Sequence, residues 1–457
     1  MLKQASGLSL FMFLFPALAF GAGSEFPDNG AMAMGRGGAV AASPDGALAL
    51  QYNPAGLAKR KGFHLDVEYK LSDMNVTYTP NTSEAAVSNN GGIFPAPAGM
   101  LAYGFGAVGP FSNLTIGAGG YGPSSIGVVD YPVDGAQRYA LVDSDYFIAM
   151  ATTSVAVAWE DWLDVGLNMQ MAAGRAKFRK AVYSGVVEYA TAYGADYDSV
   201  STVDVSGKSP TWLAGMTVRP MEGLSIGLSY RPQFNFEGDG TLTTEVSALG
   251  QALGVEASGD KASMVVPFPQ VARLGILYQL AKDCLVEADF VYEGWSAMQS
   301  IDVVPDGIKL VKGTLEKELP TIQIVRMYKD AWSARVGGDW GVIPDRLTLR
   351  GGYIYETSAI KQNYTSVDNA NWGRNAIGLG LSVNLWGAWL DLGYSHHFIP
   401  SRTLTNAKHE QTVSPCLTST TCEDLEPAII GNGTYDGSFD VFGLAVRMPF
   451  SELRGDM

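Results

Sequence analysis

The stretch VFGLAVRMPF, Val441 to Phe450, decides the fold. Phe442, Leu444, Val446, Met448 and Phe450 fall on one face of it, and Gly443, Ala445 and Arg447 on the other. A period of two belongs to an extended strand, whose successive side chains point to opposite sides. Large apolar groups on one side against small and charged groups on the other suit a wall between lipid and a polar lumen.

Working backward from there, the same alternation marks fourteen candidate strands, beginning near 61, 93, 112, 142, 163, 207, 224, 262, 284, 328, 346, 373, 388 and 437. An even number is what bacterial transmembrane barrels use. The connections alternate as well. Glu160-Asp161-Trp162, Arg219 to Gly223, Ala281 to Asp283, Gly341 to Asp345 and Trp386-Gly387 are tight, whereas 183 to 206, 246 to 260, 305 to 327 and 407 to 436 are long and polar. Short turns face the periplasm and long loops face outward in such barrels, so both chain ends are expected on the periplasmic side. A soluble sandwich would use strands nearer five or six residues. The expected fold is an all-β membrane protein, a 14-stranded antiparallel transmembrane β-barrel over 61 to 450 with a small N-terminal helical plug (hatch) in its lumen.

Composition agrees. The 457 residues include 54 Gly, 21 Tyr, 19 Phe and 9 Trp with only 17% charged side chains, and one barrel can absorb them all. Beyond the leader, no stretch reaches the roughly 20 apolar residues of a membrane helix. A net charge of -15 argues against nucleic acid as a partner, because phosphate binding needs basic patches. Residues 1 to 22 read as a secretory signal peptide: Lys3, an apolar run from Leu8 to Phe20, and Ala17-Leu18-Ala19, with cleavage near Ala19 or Gly21. After export, Cys416 and Cys422 can close a loop as a disulfide, while Cys284 sits alone in a strand. His64, His396, His397 and His409 show no metal-ligand spacing, no Ser/His constellation is evident, and no glycine-rich phosphate loop opens a helix. No enzyme activity, metal or cofactor is expected.

Residues 23 to 60 do not alternate. Their centre, GRGGAVAASPDGALALQYNPAGL at 35 to 57, is small and apolar, which suits a plug. Gly35, Gly37 and Gly38 allow close backbone approach, and Arg36 offers five donors to lumen carboxylates. Pro44-Asp45-Gly46 signals a turn, and Asn53-Pro54-Ala55 makes a rigid one. Strand parity also places Arg273, Glu287, Asp289, Arg335 and Arg350 toward the lumen, as an ion-pair lattice between wall and plug.

With these features on the page, the chain resembles the FadL family of outer-membrane transporters for long-chain fatty acids and related hydrocarbons. The likeness rests on GRGGA at 35 to 39, Asp45, NPAGL at 53 to 57, IFPAPAGMLAYGF at 93 to 105, GAQRYALVDSD at 135 to 145 and GRAKF at 174 to 178. YEGWS at 292 to 296, YKDAWSARVG at 328 to 337 and the closing VFGLAVRMPF continue it. It implies passive uptake of hydrophobic compounds by loop capture, a lumenal pocket, plug rearrangement and lateral exit at a kinked third strand. Residues 451 to 457 form a periplasmic tail beyond Phe450, with which such barrels usually end and which the barrel assembly machinery reads.

For capture, Ile126, Val128, Val129 and Tyr131 in one loop and Val246, Leu249, Leu253 and Val255 in another are the apolar candidates. For the kink they are Gly117, Gly119 and Gly120 with Pro123, since glycine and proline weaken a ladder. The resemblance implies that Arg175, Lys177 or Lys329 meets a carboxylate. Two readings of Arg175 stand. Alternation from Val165 through Met171 points Arg175, Lys177 and Arg179 outward, toward outer-membrane lipid and lipopolysaccharide phosphates; a bulge at Ala172-Ala173-Gly174 turns Arg175 inward. A structural or adhesive barrel binding surfaces through its long loops is the alternative function.

Overall fold

The computed structural model describes residues 29 to 122, 128 to 183, 197 to 368, 372 to 414 and 427 to 450. The leader, Pro123, Ile126, Cys416, Cys422 and the tail from 451 lie outside them.

Fourteen antiparallel strands close into one barrel. They are β1 (Gly62–Pro80), β2 (Phe94–Gly104), β3 (Asn113–Tyr121), β4 (Asp143–Trp159), β5 (Leu163–Tyr183) and β6 (Asp198–Met221). Four interrupted strands follow: β7 (Leu224–Arg231, then Phe234–Glu245), β8 (Lys261–Phe268, then Val271–Ala281), β9 (Cys284–Glu293, then Ser300–Pro305) and β10 (Ile322–Val325, then Ala331–Ile343). The rest are β11 (Leu347–Glu356), β12 (Arg374–Leu385), β13 (Ala388–Leu404) and β14 (Gly433–Pro449). Closure is made by β1 against β14, in register from His64↔Pro449 to Pro80↔Gly433.

Most strand starts agree with the alternation, and the differences share a cause. β6 begins at Asp198 rather than 207, β14 at Gly433 rather than 437, and Ile322–Val325 lies inside the stretch read as a loop. Alternation of apolar with polar side chains ends where lipid ends, whereas the hydrogen-bonded ladder continues into water. Exposed aromatic residues mark the periplasmic rim at Phe63, Tyr103, Trp159, Trp162, Tyr278 and Trp386. A second set, Tyr230, Phe290, Trp332 and Tyr353, lies toward the outer end. Such girdles sit at membrane interfaces.

The lumen is filled from below by residues 29 to 60, nearly all of them buried. Helix α1 (Ala31–Gly35) lies against β12, β13 and β14; the 3-10 turn Gly46–Leu50 meets β1, β2 and β3; the 3-10 turn Pro54–Leu57 meets β4, β5 and β6. The contact is backbone to backbone because the wall presents glycines there. Gly166↔Gly215, Gly227↔Gly275, Gly337↔Gly352↔Gly378 and Gly380↔Gly393↔Gly443 are cross-strand neighbours that form a belt. A Cβ at Gly352 would stand 2.0 Å from the Arg36 carbonyl carbon, and one at Gly378 1.9 Å from the Met34 oxygen.

Candidate apolar transport site

Above the plug, a chamber is walled by Tyr146 and Ile148 of β4, Ala176 and Phe178 of β5, Met264, Val266 and Phe268 of β8, and Met298 and Ile301 at the β9 break. Ile324, Arg326 and Tyr328 of β10 complete it with Asp368 from the loop before β12.

Local breaks in four adjacent strands shape this chamber. Pro232 and Pro269 lack the N–H that a ladder needs, and they interrupt β7 and β8. In β9 the 3-10 turn Trp295–Ala297 departs from the wall, and in β10 Met327 adopts φ 48. The two bends are stitched together: Gln299 O accepts from Arg326 N at 2.8 Å and Met327 N at 2.9 Å. Trp295, fully buried, donates its indole N–H to Glu293 at 2.6 Å and meets the Tyr328 ring edge-on at 5.9 Å. This pulls Met298 and Tyr328 into the lumen.

A second, more polar cavity opens outward from the chamber, bordered by Tyr139, Lys180, His409 and Thr412 among others. Ile324, Arg326 and Asp368 border both spaces and so form the throat between them. Arg326 Nη1 donates to Asp368 Oδ2 at 2.7 Å, and Lys180 Nζ on the outer side donates to Thr412 Oγ1 at 2.7 Å. Burial alone would raise the Asp368 carboxyl, but Arg326, His409 and a hydrogen bond from Ser366 more than offset it and hold it below the usual carboxylate range. Burial keeps the His409 imidazole below its ordinary value despite Asp368.

β3 ends at Tyr121, opposite Met150, so β4 residues 145 to 149 have no ladder partner on that side among the described residues. On the other flank, β2 residues 94 to 97 pair with β1 alone among the described residues.

At the floor, polar anchors hold the plug segment to the wall. Arg36 grips Asp339 through two hydrogen bonds of 2.6 and 2.7 Å and reaches Glu287 at 3.4 Å. Asp289 accepts from the backbone of Val40 and Ala41, each at 2.8 Å. Asp45 caps the turn that follows it, accepting from Gly46 N at 2.9 Å, and binds Arg60 and Arg447. Asn53 accepts from Ala55 N at 3.1 Å and donates to Ala41 O at 2.8 Å and to Met216 O of β6 at 3.2 Å.

Over residues 14 to 450 the sequence matches the model of the family described as outer membrane protein transport protein (OMPP1/FadL/TodX). The chain belongs to this family. Like other members, it is an integral outer-membrane barrel. Solved structures agree in fold. A FadL homologue of Pseudomonas aeruginosa superposes with a TM-score of 0.75 at 16% identity, covering 94% of this chain and 100% of that one. The toluene transporter TbuX of Ralstonia pickettii gives 0.60 at 15% identity, over 92% and 98%, and the toluene transporter TodX of Pseudomonas putida 0.61 at 14%, over 93% and 98%. A search of curated proteins finds no match.

Within this FadL/TodX barrel, the residues singled out by sequence fall in different places. Gly35, Arg36, Gly37, Gly38, Asp45, Asn53, Pro54 and Ala55 gather in the lumen. Parity holds for Arg273, Glu287, Asp289, Arg335 and Arg350, all buried inward, with Arg335 donating to Gly38 O at 3.4 Å. The described part of β3 has no kink: its register with both neighbours is unbroken. Gly117 and Gly119 instead make room for Leu57 and Leu50 of the plug, at 3.3 and 2.8 Å from an added Cβ, while Gly120 faces no plug atom.

The inward reading of Arg175 is overturned. β5 pairs without a bulge through Ala172, Ala173 and Gly174, so Arg175 stays outside, paired with Asp204, and its side chain is 55% exposed. Lys177 shares that outer face, and Lys329 is exposed, away from the chamber lining. Arg326, three residues before Lys329, is the chamber's cation. Val128 borders an outer groove with Asp143 and Lys177. Leu249 and Leu253 lie at the exposed helical turn Ala248–Ala252 and its end. Phe178 could have been found: outward Arg175 and Lys177 require inward Ala176 and Phe178. Asp368, in a loop without periodicity, gave no such signal.

Proposed function

We propose that this barrel takes up hydrophobic small molecules, hydrocarbons or fatty acids, passively and delivers them sideways into the membrane. The observation that carries the reading is the apolar chamber, which stands above the plug and its polar anchors. A hydrophobe entering it leaves water with a gain of about 25 cal/mol for each Å² of apolar surface buried. From there a sideways step exchanges one apolar surrounding for another. Downward passage would break the Arg36, Asp45 and Asn53 anchors and part backbone seated on the glycine belt. Exposed Leu253 and its helical turn supply first contact with the ligand. The outward row Arg175, Lys177 and Arg179, each flanked by aspartates, serves contact with lipopolysaccharide rather than with cargo.

Replacing Ala176, a buried chamber residue, with Trp fills the space from a wall position. Uptake of toluene or dodecanol by cells carrying A176W should fall about tenfold, equivalent to ~1.4 kcal/mol, with the barrel still folded by its heat-dependent gel mobility. Unchanged uptake through a folded A176W barrel would sink the reading.

A further inference from the structure

The throat joins a polar vestibule to an apolar chamber, and its two charged groups already engage each other. Arg326 comes from the β10 bend and Asp368 from the loop before β12; both side chains are under one-tenth exposed and share a 2.7 Å hydrogen bond. Each borders both cavities, so cargo moving inward passes them. For a neutral guest the pair presents a dipole with no net charge. For a carboxylate the situation differs: the cation that would receive it is occupied, and the resident anion repels it across a poorly screened space. Lys180 and Lys408 border the vestibule without lining the chamber, and Lys180 is bonded to Thr412. An anionic head can therefore be held outside but meets Asp368 on the way in.

We propose that Asp368 is a specificity-determining residue, a tethered carboxylate that makes the chamber select uncharged hydrophobes over carboxylates carrying the same tail. This rests on the reading of the chamber as the cargo site. Equilibrium dialysis of the purified barrel in non-ionic detergent against protein-free micelles, at neutral pH, measures radiolabelled dodecanol and dodecanoate, which differ only in the head. Wild type should hold dodecanol at least roughly tenfold more tightly. Asp368→Asn should shift the dodecanoate-to-dodecanol affinity ratio about tenfold toward dodecanoate, whereas Asp368→Glu should keep the wild-type preference. Equal wild-type affinities, or an Asp368→Asn effect shared by both ligands, as a structural role would give, overturns the assignment. Binding of both ligands that A176W leaves intact overturns the chamber reading and this assignment with it; equal affinities that A176W abolishes overturn this assignment alone.

Discussion

Arg36 joins plug to wall through buried charge. Its guanidinium satisfies Asp339 and reaches Glu287, which is itself fully buried and accepts from Ala42 N at 2.6 Å and from Ser43. Removing the cation leaves Glu287 without its ion-pair partner and Asp339 with Arg350 alone, the costly direction in which to break a buried pair. Arg36→Met should lower the stability of the folded barrel by about 3 kcal/mol, read by urea unfolding in lipid vesicles, and Arg36→Met combined with Glu287→Gln should recover part of it. Full stability in the single variant would mean the anchor contributes nothing. Arg36, Asp45 and Asn53 were legible because a polar residue among small apolar ones in a lumen segment has only the wall to bond with. Arg326 and Asp368 were not, since their pairing depends on a strand bend and a loop meeting across the lumen.

At the scale of elements, neighbouring glycines do different jobs according to the face they occupy. Gly351 points to lipid and an added Cβ would meet nothing within 4 Å, while Gly352 points inward, 2.0 Å from the Arg36 carbonyl carbon. Gly352→Leu should unseat the plug and open a measurable ionic conductance in planar bilayers, and Gly351→Leu should leave conductance at the wild-type level. Conductance that is the same in both would show that the belt does not seat the plug. Strand glycines were visible in the sequence and invited a kink in β3, yet Gly117 and Gly119 serve packing against Leu57 and Leu50. Sequence gives a glycine's freedom but not the backbone that uses it. The bends of β9 and β10 were hidden for a related reason: YEGWS and YKDAW carried the family likeness, but turning Trp295 and Tyr328 inward depends on hydrogen bonds between two strands.

Over the whole molecule, depth in the membrane organises the outer surface as the plug organises the inner one. Period-two alternation made the strands and their number readable because lipid enforces it on every strand alike; the chamber, built from β4, β5, β8, β9 and β10 together, belongs to no single stretch. The same depth rule predicts unequal costs for one substitution at two places. Met169, 57% exposed, lies midway along the apolar face of β5, while Trp162, 47% exposed, sits at the periplasmic turn below it. An arginine at position 169 must hold its charge within hydrocarbon, whereas one at 162 reaches water. Met169→Arg should therefore cost ~2–4 kcal/mol of folding free energy and Trp162→Arg ~0–1 kcal/mol, both by urea unfolding in vesicles. Equal costs would place the β5 face elsewhere than at the membrane centre, and with it the chamber that opens from the inner side of the same strand.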